Sequence, residues 1–302
     1  MSEMKTNTAS AMTMEELKEF KGRSMAQETW RRLLKNKGAI VGMIFMILLV
    51  VIACAGDIIY DYETDVIGFS ADLSQGPSLK HPFGTDQMGR DVFARVIYGA
   101  RYSLIIGVGS VALGLVVGLI LGSLAGFYGG FMDQLVMRAN DILYAIPNIM
   151  LAVVIVQLIG TSVFSLVVAL SISSATSFAK ITRASVMTIQ GQEYIESAYA
   201  MGLPTWKIIL RHVIPNCLSP IIVQVTLAIG SNIISASSLS FLGVGVPIPM
   251  PEWGTMLSDA RQYIRSAPWM CIFPGLAIMF TVLALNLLGD GLRDALDPKL
   301  KR

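Results

Sequence analysis

Residues 142–179 read ILYAIPNIMLAVVIVQLIGTSVFSLVVALSISSATSFA, thirty-eight positions between Asp141 and Lys180 without one Asp, Glu, Lys or Arg. Wound as one helix at ~1.5 Å per residue, the run would be about 57 Å long. That is nearly twice the roughly 30 Å hydrocarbon core of a bilayer. The run must therefore fold back, and Gly160-Thr161-Ser162 is the expected hairpin. Uncharged runs recur at 38–56, 102–132, 212–251 and 266–289. Across all 302 residues, 54% are apolar and 15% charged, where a soluble domain carries about 25% charged residues. Mean hydropathy is +0.62. These values describe an all-α, polytopic membrane protein and exclude a disordered chain, a secreted disulfide scaffold and a nucleic-acid binder.

Six spans follow, at about 38–56, 102–127, 142–160, 162–179, 218–243 and 269–289. Six crossings place both termini on one side. With the termini inside, the inner segments hold seventeen Lys and Arg and the outer ones six, as the positive-inside rule requires. The expected organisation is a cytoplasmic N-terminal tail (1–37), a first transmembrane helix (38–56) and an extracytoplasmic segment (57–101). A core of five spans (102–289) and a cytoplasmic C-terminal tail (290–302) complete it. The tail carries eight Lys/Arg and five Glu before the first apolar run. A cleavable signal peptide has a much shorter leading region, so 38–56 reads as a retained span.

In the second span Ser110, Gly114, Gly118, Gly122, Gly126 and Gly130 recur every four residues. Lipid gives helices no hydrophobic reason to pair, so small side chains that admit close backbone approach make the packing seam. Its partner is left open by the sequence. None of the six spans holds an ionisable group, whereas ion-coupled carriers, proton pumps and voltage sensors depend on such groups. The neutral polar residues Gln157, Ser173, Gln224, Asn232, Ser235 and Asn286 are left either to interhelical hydrogen bonds or to the lining of a solute path.

Cys54, Cys217 and Cys271 are too far apart for a Cys-x2-Cys site and read as small buried hydrophobes. His81 and His212 alone cannot build a histidine-rich metal site, so no metal is expected. No Gly-x4-Gly-Lys-Ser/Thr phosphate loop occurs. The chain is expected to have no catalytic or nucleotide site of its own. Asp86, Arg90 and Asp91 read as a turn with local ion pairs, or as a contact for an external protein.

The segment 180–217 is too long for a simple connector. Glu193 to Met201 reads as a helix with Ile195, Ala198 and Tyr199 on one face and acids in its first turn. Gly202 stands where a left-handed cap is expected. Pro204 restarts a helix from its first position, with Trp206, Ile209, Leu210 and Val213 on one face and Lys207 and Arg211 on another. Pro215 is expected to stop it. An interfacial helix on lipid would explain the aromatic and basic residues, though not the acidic first helix.

The pattern Glu196-Ser197-Ala198-x3-Gly202-x9-His212-x-Ile214-Pro215 resembles the EAA loop of ABC importer permeases, with Ser197 in place of the commonest Ala. Phe83-Gly84-Thr85-Asp86-x2-Gly89-Arg90-Asp91, Ser240-Phe241-Leu242-Gly243, Pro251-Glu252-Trp253-Gly254-Thr255-Met256-Leu257 and Gly289-Asp290-Gly291-Leu292-Arg293-Asp294-x2-Asp297-Pro298 are similar to the C-type permease subunit of dipeptide/oligopeptide importers. The likeness spans nearly everything beyond about residue 35. It implies a type I importer fold and an EAA hinge (about 193–215) that docks on ATPase subunits. By that resemblance Glu196, Ala198, Gly202, Pro204, Lys207, Arg211, His212 and Pro215 are the coupling residues. It also implies a homologous second permease, two ATP-binding subunits that hold the ATP and Mg, and an extracytoplasmic peptide-binding protein, all in an inner or plasma membrane. Importers for glutathione or nickel chelates share these features. A stand-alone channel or ion-coupled carrier fits neither the uncharged spans nor the loop.

Overall fold

The computed structural model describes residues 25–296, with side chains from residue 27, so expectations for 1–24 and 297–302 lie outside the described residues. The described chain is helical without a named strand. Its elements are α1 (Met25–Leu33), α2 (Lys37–Ile59), α3 (Val92–Tyr128), α4 (Gly130–Ala145), α5 (Asn148–Ile159) and α6 (Val163–Gln190). There follow α7 (Glu193–Ala200), α8 (Thr205–Ile208), α9 (Ile214–Phe241), α10 (Trp253–Ala260) and α11 (Trp269–Leu296). Five stretches are long and apolar enough to cross a membrane by themselves: α2, α3, α6, α8 running on into α9, and α11.

The third expected span, 142–160, is not a single helix. Residues 142–160 are split between α4 and α5, which meet at an angle of 92°. The break falls at Ile146-Pro147, where proline forces its predecessor out of the helical region; Ile146 is extended at φ −86°, ψ 129°. The twelve residues of α5 span only about 18 Å, too little to cross alone. Packing nevertheless makes α4 and α5 together the third traverse. A Cβ built on Gly114, Gly118, Gly122 or Gly126 would meet Ser174, Phe178, Thr182 or Val186, each sixty positions further on. Hence α3 and α6 run parallel, and the chain between them must cross back over the bundle height.

The seam explains the four-residue stripe. A Cβ at Gly114 would lie 2.6 Å from Ser174 Cβ, and one at Gly122 would lie 2.7 Å from Thr182 Cβ. No side chain larger than hydrogen fits, and the backbones of α3 and α6 touch along three turns. The expected hairpin lies at Gly160 (φ +100°), followed by a capping box in which Ser162 and Ser165 exchange hydrogen bonds at the start of α6.

Other boundaries run further than the uncharged runs suggest, because a helix does not stop where charge begins. α3 starts at Val92, capped by Asp91, α6 continues to Gln190 and α11 to Leu296. The tail before the first span is partly folded: α1 lies against the end of α11, with Leu33 buried beside Ala39 and Ala295. Asn36 caps α2 and donates to Asp294 at 3.2 Å. One end of the bundle thus carries α1, the end of α11, the end of α3 and the 191–213 loop. The other carries 60–91 and 242–268.

Candidate functional site

At the end that holds α1, the 191–213 loop is built on a helix cap. Gly202 adopts φ +74°. Its N–H donates to the Tyr199 carbonyl at 2.9 Å, and the Leu203 N–H reaches the Ala198 carbonyl at 3.2 Å. That pair of bonds is a Schellman turn, which needs a left-handed residue at this position. No atom beyond its neighbours lies within 4 Å of where a Gly202 Cβ would be. Ile195 and Ala198 are buried against Phe127, Val186 and Ile208, fixing α7 to the ends of α3 and α6. Tyr199 stacks on Phe127 with 6.1 Å between ring centres, yet stays 45% exposed.

Two expectations for the following helix are corrected. Pro215 does not stop it: α8 passes through a π-helical turn at Ile209–Val213 into α9. A proline removes one N–H and crowds the carbonyl four residues earlier, and the wide turn accommodates that defect. The Asn216 amide donates to the His212 carbonyl at 2.6 Å. The wide turn also rotates the buried face. Ile208, Ile209 and Val213 go inward, whereas Trp206 (60% exposed) and Leu210 (59%) go outward. Glu196, Pro204, Lys207, Arg211 and Pro215 are exposed, Ala198 is buried and His212 is half-buried. Lys207 sits over the Trp206 ring at 5.4 Å. Tyr194, Tyr199, Met201, Trp206 and Leu210 therefore form an apolar, aromatic rim around a capped glycine turn.

At mid-height the elbow before α5 opens a cavity of about 240 Å³, lined by Asn148, Ser173, Ser174, Ser177, Gln224, Ser231 and Asn232 with Phe178, Leu227 and Ala228. Every polar group in it is neutral. Asn232 is buried and donates to Ser110 Oγ at 2.7 Å and to Ser174 Oγ at 2.9 Å, tying α9 to both seam helices. The cavity gathers Ser173, Gln224 and Asn232 of the six candidate path residues, and omits the other three. Gln157 is exposed on the last turns of α5. Ser235 turns its hydroxyl back to the Ser231 carbonyl at 3.0 Å. Asn286 is exposed beside Gly230.

The far end is capped by a buried charge cluster that composition does not reveal. Asp86 accepts from Arg90 Nε at 2.6 Å and lies 3.7 Å from Arg95 Nε, and Arg90 is 3.9 Å from Asp259. Burial pushes the Asp259 carboxyl up, against the pull of Arg95 and Arg90. Glu252 is fully buried and caps α10 through the Thr255 N–H at 2.9 Å, with the Ser103 and Ser237 hydroxyls at 3.4 and 3.5 Å. The expected local ion pair of Asp86 and Arg90 is present. That 242–268 folds over it is not legible in any local pattern; the tryptophans are the available signal, since Trp253 Nε1 donates to the Val96 carbonyl and Trp269 Nε1 to that of Thr85.

Residues 118–302 match the family model described as binding-protein-dependent transport system inner membrane component, and residues 24–77 match the N-terminal TM domain of oligopeptide transport permease C. A dipeptide transport system permease protein, DppC, from Alkalihalophilus pseudofirmus is 46% identical over 91% of this chain and 90% of its own length. A glutathione transport system permease protein, GsiD, from Pectobacterium atrosepticum is 44% identical over 91% of both. Among solved structures, an inward-facing form of the MetNI methionine ABC transporter superposes with a TM-score of 0.55 at 19% identity, covering 67% of this chain and 96% of that one.

Proposed function

The chain belongs to the binding-protein-dependent transport system inner membrane component family, and from that premise we propose that it is the permease subunit of an ATP-driven importer of di- and oligopeptides. By that membership it is a multi-pass plasma-membrane permease of an ABC importer with the type I fold. In the proposed assembly it encloses half of the solute path, with a homologous second permease enclosing the other half. Two ATP-binding subunits hold ATP and Mg and dock on the 193–215 loop. An extracytoplasmic binding protein delivers the peptide to the opposite end.

The observation that carries this reading is the exposed aromatic rim around Gly202, set on a cap too well bonded to be a slack connector. The uncharged runs at the centres of the spans offer no Asp, Glu, Lys or Arg to drive transport, so force must enter from outside the membrane, and this loop is the long element available to receive it. The neutral cavity suits amide-rich solutes, and Ser173, Gln224 and Asn232 are its proposed contacts. Glutathione, itself a peptide, is the second reading, favoured by the relatives named for it.

The test uses the complete complex in vesicles, comparing wild type with Glu196→Lys and Gly202→Val. Reversing a charge at an interface can cost several kcal/mol, and valine at φ +74° penalises the cap. The expected outcome is normal insertion with ATPase subunits lost on purification, or hydrolysis without uptake. Wild-type ATPase binding, hydrolysis and uptake in both variants would remove the coupling role. Uptake of labelled dipeptide against labelled glutathione decides between the two solutes.

A further inference from the structure

We infer that α1 and the turn after it form a binding surface for anionic phospholipid headgroups, independent of the solute path and of the 193–215 loop. The placement is geometric. Helical hydrogen bonds continue past Leu33 through Leu34 N–H to Trp30 O and Asn36 N–H to Leu33 O. Asn36 then caps α2 at once, so α1 lies at the level where a span leaves the bilayer. Leu33 anchors its inner side beneath Ala39, Leu292 and Ala295, and Ala39 meets Gly291 closely. The element is held in place instead of trailing.

What remains outward has one chemistry. Trp30 is 54% exposed and Leu34 43%, one helical turn apart. Val41, Ile44 and Leu48 of the adjoining α2 are exposed apolar residues as well. Arg31, Lys35 and Lys37 are exposed, and none has an ion-pair partner among the described residues. Two acids of this corner are engaged: Glu28 pairs with Arg32, and Asp294 takes the Asn36 amide. An indole and a leucine at the interface, flanked by three free cations, fit a headgroup layer that is apolar below and negative above. A protein partner with an acidic face would match the cations. It would not account for an exposed indole and leucine next to the exposed apolar side chains of α2.

The experiment reconstitutes the whole transporter in vesicles of phosphatidylcholine with or without phosphatidylglycerol. Both leaflets then carry the same lipid, and the direction of insertion does not matter. Quenching of tryptophan by brominated phosphatidylglycerol is read in a Trp206→Phe background, with Trp30→Phe isolating the α1 signal. Brominated phosphatidylglycerol should be enriched at Trp30 over brominated phosphatidylcholine. Enrichment should fall roughly fivefold for each charge removed in Arg31→Gln, Lys35→Gln and Lys37→Gln, as expected of cations beside an anionic surface, and it should fall with salt. Native mass spectrometry of the triple variant should show fewer retained phosphatidylglycerol molecules while ATPase subunits stay bound. Equal quenching by both lipids, or loss of ATPase subunits in the triple variant with lipid retention unchanged, would overturn the assignment.

Discussion

Gly122, in the seam between α3 and α6, and Gly202, in the turn after α7, dispense with a side chain for opposite reasons. At Gly122 the backbone is ordinary helix and the space is taken, with a would-be Cβ 2.5 Å from the Ala179 carbonyl oxygen. At Gly202 the space is empty and the backbone is left-handed, at φ +74°. The first glycine is selected by a neighbour and the second by a torsion. A region built on the first kind moves as one block, because two backbones in contact cannot slide without lifting apart. A region built on the second kind turns sharply and leaves its surroundings open to a partner.

The comparison breaks most visibly if the seam accepts bulk. Gly118→Leu and Gly122→Leu should cost on the order of 3 kcal/mol or more, the upper end for overpacking, and should strip the subunit from the purified complex. Thermal melting in detergent and yield of assembled complex read this, and wild-type yield of either variant would mean that α3 and α6 are not in contact. A finer cut uses residues that separate torsion from space. Asparagine tolerates the left-handed region, so Gly202→Asn should keep uptake near wild type. Gly202→Ala should lose about 1–2 kcal/mol locally. At Gly122 the order inverts: alanine gains about 1 kcal/mol of helix propensity but meets backbone that cannot yield, and asparagine does worse. The same ranking at both sites would erase the distinction. The smallest effect is the control: Ile120→Leu, on an exposed face of the same helix, should shift stability by less than about 0.5 kcal/mol. Leu115 and Leu119 would be poorer controls, since both pack against the cluster around Phe178 and Val186.

The sequence made legible whatever depends on counting along one chain. Charge-free runs locate the spans, a four-residue repeat locates the seam, and a glycine between two short amphipathic stretches locates the cap. Relations between distant segments stayed hidden. Nothing in the repeat of α3 names α6 as its partner, because small residues accept many neighbours. The elbow at Pro147 lies inside an uncharged run, and apolar composition is blind to helix direction. The π turn before Pro215 shifts the buried face by less than a residue, which is enough to send Trp206 outward against a 3.6-residue reading. Among the neutral polar residues, Ser173, Gln224 and Asn232 share a cavity with α5 while Gln157 and Asn286 do not. Their side chains are alike; Gln157 stands about 13 Å further along α5 than the cavity-lining Asn148, and Asn286 belongs to α11, which does not line the cavity.

The unbroken course of helix from Thr205 to Phe241 has a mechanical meaning. Thirty-seven residues make a rod of roughly 55 Å, with the exposed Trp206 at one tip. Near the other tip is Ser237, touching Glu252 of the opposite cap. Pivoted at Asn232, where hydrogen bonds hold it to both seam helices, the rod is a lever whose fulcrum is nearer the far end. A sideways push on the Trp206 arm by about 4 Å would swing the short arm at Ser237, beneath Glu252, by roughly 0.8 Å in the opposite direction. Such a lever would multiply force as it reduces travel, turning a broad push at the Trp206 end into a short, strong one at the Glu252 end.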